Sequence, residues 1–198
     1  MTCILVDNDE HLYLTQDYIV THNTFIALGY LFSLMERHEI DKIVVFCNPV
    51  VAKNAAKLGF YPGTVEEKLL STQVGAVLGS KLGSDLEVMS LMDKEKLVLI
   101  PAGDARGYEV PPHSGVYIME SQNLTSDLLR MLLQRVSEGS KVIIDGDYTE
   151  QVDMDVYAGA NNGMRKASEV FRGSNLFGQV ELQNIYRSKI AALAELMR

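Results

Sequence analysis

Four continuous apolar runs constrain the fold of this chain more than any other feature. They span residues 43–46, 97–100, 116–119 and 142–144. A strand without apolar/polar alternation is buried on both faces, as in a parallel sheet that helices cover on each side. Apolar residues recur at helical spacing over 24–37, where Thr24 is the expected N-cap, and a second helix is predicted over 125–136. We therefore predict an α/β domain with a mainly parallel sheet and helices on both faces.

Composition limits the number of domains and the classes of partner. The 198 residues suffice for one well-packed domain with a small appendage. A net charge of −8 argues weakly against a general nucleic-acid clamp. The two cysteines are too few for a disulfide framework. Since neither a signal peptide nor a membrane-spanning run is visible, we expect a cytoplasmic protein with no membrane partner.

The N-terminal residues have a different character from the rest. Residues 4–6, 11–15 and 18–21 are rich in β-branched and aromatic side chains and predict a short β-hairpin arm. The arm ends in His22-Asn23-Thr24. An Asn side-chain amide can attack its own backbone carbonyl and so break the following peptide bond, which a histidine such as His22 can protonate. The Thr24 hydroxyl can then serve as a nucleophile.

The run from Cys3 to Asn23 resembles, nearly residue for residue, the C-terminal segments of phage and bacterial inteins. This resemblance implies an intein segment over 1–23 and a splice junction between Asn23 and Thr24. It also makes His11 the second histidine that assists Asn cyclisation. The alternative is an ordinary native hairpin. Native hairpin strands should pair into the main sheet, whereas an intein remnant should protrude and be dispensable.

Residues from about 24 to 197 resemble the PhoH-like ATPases, the family named for phosphate-starvation-inducible PhoH. The shared motifs are Leu-Gly-Phe-Tyr-Pro-Gly at 58–63, an apolar strand followed by Glu-Ser-Gln-Asn at 120–123, and an apolar strand ending in Gly-Asp at 146–147. The resemblance implies a sheet of RecA/P-loop NTPase type and ATP and Mg²⁺ as cofactors. Two positions depart from the family pattern: Asn48 replaces an Arg, and Met119 replaces the metal-supporting Asp of Asp-Glu-Ala-Gln-Asn.

The same resemblance assigns roles in the acidic motif and in the phosphate-sensing motif. Glu120 is the expected catalytic carboxylate, which orients or deprotonates the attacking water and supports the metal, and Gln122 belongs to the nucleotide site. Asp147, Thr149 and Gln151 are expected to sense the γ-phosphate. Alternatively, the Gly-Asp pair merely turns the chain.

Two arginines are further candidates for contact with phosphates. Arg106 is expected to approach a phosphate or an RNA backbone, and Arg187 to reach the phosphates of a bound or neighbouring nucleotide. Ordinary exposed arginines are the alternative at both positions. RNA and a second copy of the chain therefore remain candidate partners.

A P-loop reads Gly-x-x-x-x-Gly-Lys-[Ser/Thr], and its Ser or Thr opens a helix and binds Mg²⁺. Thr24 opens a predicted helix, yet no Gly-Lys pair precedes it. We predict that an intein interrupts the P-loop before Thr24, so that residues 24–198 lack the first strand and the phosphate loop. The partner would then be an N-terminal intein half whose flank ends in Gly-Lys. Two alternatives remain: a degenerate, non-hydrolytic nucleotide-binding or structural α/β domain, and an α/β binding module with a native hairpin.

Overall fold

The computed structural model describes residues 2–4, 23–48, 75, 78–79, 84–149, 152 and 154–182. Its strands are β1 (Thr2–Ile4), β2 (Lys42–Cys47), β3 (Leu97–Pro101), β4 (Ser114–Ile118), β5 (Lys141–Gly146) and β6 (Val180–Leu182). Its helices are α1 (Asn23–Glu36), α2 (Asp85–Asp93), α3 (Ser126–Leu133) and α4 (Gly163–Phe171). The sequence also predicts a loosely amphipathic helix over 64–82 and a final helix over 187–197, and these lie mostly or wholly outside the described residues.

The six strands form one sheet in the order β3-β2-β4-β5-β1-β6. The four strands that contain the apolar runs are mutually parallel: β2 pairs with β3 and β4, and β4 pairs with β5. Val116 in the centre of β4 lies between Val44 of β2 and Val142 of β5. The prediction of a mainly parallel α/β sheet is confirmed.

Strand β1 joins this sheet in the opposite direction. It pairs antiparallel with β5 on one side and with β6 on the other, so that Cys3 lies between Gly146 and Glu181. The strand predicted at 4–6 therefore overlaps the observed strand at Ile4 alone. This pairing into the main sheet is what we expected of a native arm, while the predicted strands at 11–15 and 18–21 lie outside the described residues.

The two faces of the sheet bury separate apolar cores. Helices α1 and α2 cover one face, where Leu28 and Leu31 pack with Val45 and Tyr117. Helices α3 and α4 cover the other face, where Leu129 packs in a core that includes Val44, Phe46 and Ile118. Helices therefore lie on both faces, as the absence of alternation in the strands predicted.

The helix starts depend on short polar side chains. Thr125 accepts a hydrogen bond from Leu128 N at the start of α3, and Asn162 accepts one from Arg165 N at the start of α4. The expectation that Thr24 is an N-cap is wrong, because α1 begins at Asn23 and Thr24 lies in its first turn. Its hydroxyl is instead hydrogen-bonded to a tyrosine of the sheet. In the part of the chain that the structure describes, no helix is long and apolar enough to cross a membrane.

The burial of Cys47 at the end of β2 gives a test of this core. Its side chain is 2% exposed, and burial raises the pKa of the thiol to about 12. Near pH 8 the thiolate, which is the reactive form, is therefore scarce as well as inaccessible. In a Cys3→Ser background, we expect an aromatic disulfide reagent to leave native Cys47 unmodified and to react with it once guanidinium unfolds the chain. Rapid reaction in the native state would contradict the assigned core.

Candidate functional site

The carboxyl ends of β2, β4 and β5 meet at one edge of the sheet because these strands are parallel. In open α/β sheets, ligands bind outside this edge. Asn48, Glu120 and Asp147 come shortly after the three strands. The first turn of α1 reaches the same region, since the Thr24 hydroxyl is hydrogen-bonded to the side chain of Tyr117 in β4.

Glu120 occupies a strained position just after β4. Its φ of 52° lies in the left-handed region, which side chains other than glycine rarely adopt. Among the contacts that hold it there, Gln122 Nε2 donates to Glu120 Oε2 at 2.7 Å, and Asn48 Nδ2 donates to Glu120 O at 3.4 Å. Asn48 Nδ2 also donates to Asn123 O at 3.0 Å, so Asn48 connects β2 to the Glu120 loop. A strained carboxylate at a strand end is typical of functional sites.

Gln122, whose side chain contacts that of Glu120, is buried and only 2% exposed. Its backbone carbonyl accepts a hydrogen bond from Asn162 Nδ2 at 2.8 Å, which ties the loop to the start of α4. Its side-chain Oε1 is buried and has no hydrogen-bond partner among the described residues. A buried acceptor of this kind is normally paired with a donor from protein, water or a ligand, or with a cation. The side chain is therefore placed to receive one.

A buried pair beside Glu120 was not singled out as functional from the sequence. Tyr117 Oη donates to Asp145 Oδ2 at 2.7 Å, and Glu120 N donates to Asp145 Oδ1 at 2.9 Å. Asp145 is 2% exposed and lies within β5. The signal that could have found it is a carboxylate at the end of an apolar strand, where burial is expensive unless the charge is partnered.

Burial dominates the protonation of this pair. It raises the pKa of Asp145 from 3.8 to about 7, although the Tyr117 hydroxyl lowers that pKa and the Glu120 charge raises it. Burial, followed by the charge of Asp145, raises the pKa of Tyr117 well above its ordinary value. Tyr117 therefore remains a hydrogen-bond donor to Asp145 at neutral pH.

The phosphate-sensing candidates are partly described. Asp147 is buried, and its Oδ1 accepts from Thr149 N at 2.9 Å and from Thr149 Oγ1 at 2.7 Å. These bonds form a local turn that brings the two predicted residues together. Gln151 lies outside the described residues.

The remaining candidates are less informative. Arg106 is exposed in the turn after β3. The side chain of Asn23, together with His11, His22 and Arg187, lies outside the described residues, so their predicted roles stay predictions.

A family model described as PhoH-like protein matches residues 20–197. This chain belongs to the PhoH-like family. It is 33% identical over 184 residues to Protein PhoH2 of Bacillus subtilis, an alignment that covers 88% of this chain and 40% of the relative. It is 31% identical to Protein PhoH2 of Mycolicibacterium smegmatis, covering 81% of this chain and 36% of the relative.

A second group of PhoH-like relatives gives the same picture. The PhoH-like protein of Mycobacterium tuberculosis is 26% identical over 167 residues, which is 83% of this chain and 46% of the relative. The chain thus spans less than half the length of the curated relatives that it matches. The comparisons support the PhoH-like part of the sequence interpretation and do not address the intein resemblance.

The residues present fit a hydrated divalent cation. Mg²⁺ prefers oxygen ligands and keeps several of its waters. The Thr24 hydroxyl, the carboxylate of Glu120 and the unpartnered Gln122 Oε1 offer such oxygens near one edge of the sheet. The amino terminus of α1, a helix of 14 residues, suits an anion such as a phosphate. A Gly-Lys phosphate loop, however, is absent from the sequence.

Gly146 leaves the space that Gln122 occupies. A Cβ at position 146 would overlap Gln122 Oε1, lie 2.8 Å from Gln122 N and lie 3.0 Å from Met164 Sδ. We expect Gly146→Ala to reduce the free energy of unfolding by about 1–3 kcal/mol, because overpacking forces backbone and side chains apart. Urea denaturation measures the change.

Gly103→Ala is the matched control, since a Cβ there meets nothing within 4 Å. It should leave the unfolding midpoint nearly unchanged. Equal midpoints for Gly146→Ala and Gly103→Ala would show that Gln122 does not occupy the described position.

Proposed function

We propose that residues 24–198 form the ATP-binding and ATP-hydrolysing part of a PhoH-like protein, completed by an upstream segment that ends in Gly-Lys. The observation that supports this most directly is the placement of Glu120 at the carboxyl end of β4. There it is held by Gln122, and Thr24 in the first turn of α1 is hydrogen-bonded to Tyr117 of the same strand β4. Membership of the PhoH-like family supports the same assignment.

Each polar residue of this edge has a role in the proposal. The Glu120 carboxylate orients the attacking water or accepts its proton. The Thr24 hydroxyl is a ligand for Mg²⁺, which when bound neutralises charge that develops on the transferred phosphoryl group. The turn formed by Asp147 and Thr149 faces the γ-phosphate. Gln122 keeps the Glu120 carboxylate in place by donating to its Oε2 at 2.7 Å.

The second candidate function is a non-hydrolytic nucleotide-binding or structural domain. The observation that favours it is Met119, which is 4% exposed and packs in the apolar core on the α1 face. The carboxylate that PhoH-like ATPases carry at this position is therefore replaced by a side chain that offers the metal no oxygen. Hydrolysis by the completed protein separates the two candidates.

A Glu120→Gln substitution tests the proposed hydrolysis. Residues 24–198 are joined genetically to a PhoH segment that ends in Gly-Lys, and release of inorganic phosphate is measured. We expect Glu120→Gln to lower turnover by about 10²- to 10⁴-fold, the usual contribution of a positioned acid–base group. Affinity for Mg-ATP, measured by calorimetry, should change little.

The matched control is Glu138→Gln. Glu138 is exposed and precedes β5, so it lies at the opposite edge of the sheet. Phosphate release that is absent from the parent fusion, or that is unaffected by Glu120→Gln, would favour the non-hydrolytic domain.

We also propose that the upstream segment is joined by protein splicing at the bond between Asn23 and Thr24. The resemblance of Cys3 to Asn23 to an intein end supports the proposal, as does the start of α1 at this junction. The pairing of β1 with β5 and β6 favours the competing interpretation, a native arm. The two interpretations differ in whether the arm leaves the domain.

Coexpression with an intein half whose flank ends in Gly-Lys tests this splicing proposal. We expect intact-mass spectrometry to detect a product in which Gly-Lys is joined to Thr24, together with a released arm. Asn23→Ala should abolish release because the side-chain amide that breaks the bond is gone, whereas Asn8→Ala should permit it. Ligation that persists with Asn23→Ala would contradict the proposed chemistry.

A further inference from the structure

Met119 and Asp145 are neighbours across two parallel strands. Tyr117 pairs with Ile143 and Ile118 pairs with Ile144. Extending this register by one residue places Met119, just beyond the end of β4, opposite Asp145. Because side chains alternate between faces, Tyr117, Met119 and Asp145 all point to the face that α1 covers. The burial of Tyr117, Met119 and Ile143 in one core agrees with this assignment.

A hydrogen-bonded relay links Asp145 to Thr24. The Thr24 hydroxyl donates to the Tyr117 oxygen, and the Tyr117 hydroxyl donates to Asp145 Oδ2 at 2.7 Å. A hydroxyl whose hydrogen is directed into such a relay turns its lone pairs the other way. At Thr24 those lone pairs are then free to bind a cation near the amino terminus of α1.

We propose that Asp145 supplies, from the neighbouring strand, the carboxylate that Met119 lacks, and that it acts through Tyr117 to position the Thr24 hydroxyl for a divalent cation. The inference rests on the proposed function for the identity of the site. It assigns Asp145 and Tyr117 as positioning residues. Compared with an acidic residue at position 119, Asp145 lies on the adjacent strand at the same height along the sheet.

A separate observation indicates a ligand at this place. Gln122 Oε1 is buried without a partner among the described residues, and Gln122 Nε2 is bonded to Glu120 Oε2 at 2.7 Å. Glu120 N in turn donates to Asp145 Oδ1 at 2.9 Å. The unsatisfied acceptor and the relay thus belong to one connected set of polar groups. A water of a hydrated cation is a donor that satisfies the acceptor.

Mn²⁺ binding to the full chain tests the inference without ATP hydrolysis. Electron paramagnetic resonance measures free Mn²⁺ at about pH 8, above the Asp145 pKa of about 7. We expect Asp145→Asn to weaken Mn²⁺ binding by about 10- to 100-fold, as removal of a group that orients a metal ligand does. Tyr117→Phe should weaken it too. Adding Met119→Asp to Asp145→Asn should restore most of the loss.

Asp127→Asn is the matched control, because Asp127 is an exposed carboxylate on α3 that pairs with Arg130. It should leave Mn²⁺ binding unchanged. No Mn²⁺ binding by the parent chain, or equal binding by the parent and Asp145→Asn, would overturn the inference. If Asp145→Asn does not fold, as judged by circular dichroism, Tyr117→Phe decides by the same criterion.

The outcome is distinguishable from that of the proposed function. If the parent chain binds Mn²⁺ in a way that depends on Asp145 but the completed protein releases no phosphate, the proposed hydrolysis is wrong and the relay stands. If the completed protein releases phosphate and Asp145→Asn does not change the rate, the proposed function stands and the relay is wrong.

Discussion

The parallel register of β4 and β5 is the constraint on which the candidate site depends. It places Tyr117 beside Ile143 and lets the Tyr117 hydroxyl reach Asp145 two residues further along β5. A slip of one residue would turn Asp145 to the opposite face, where Val44 and Ile118 form a dry core. Burial of both faces prevents that slip, since an unpaired carboxylate there is far more costly than one bonded to a tyrosine and a backbone amide.

This arrangement carries a cost in stability. Because the pKa of Asp145 is raised from 3.8 to about 7, the folded state holds a proton that the unfolded chain has released between these two values. The contribution of Asp145 to stability is therefore complete below about pH 4 and is lost as the pH rises through about 7. The left-handed backbone at Glu120 adds about 1–3 kcal/mol of strain. Two unfavourable features at the neighbouring ends of β4 and β5 are typical of a functional site.

Sequence patterns predicted the parallel strands and α1 well because burial on both faces requires uninterrupted apolar runs. They missed α2, whose Leu86 and Met89 are largely exposed and interrupt the apolar pattern. Glu120 and Gln122 were predicted together because they are two residues apart in one motif. Tyr117 and Asp145 are 28 residues apart, and their meeting depends on strand register, which no single stretch of sequence encodes.

The antiparallel strand β1 connects the two ends of the described chain. Among the strand pairings of the described ranges, β6 is bonded to β1, while β5 lies on the other side of β1. Neighbouring strands are about 4.8 Å apart, so without β1 a gap of two strand spacings would separate β5 from β6. The attachment of residues 180–182 to the sheet therefore depends on residues 2–4. If residues 2–4 detach, β5 becomes an open edge strand and β6 loses the strand with which it pairs.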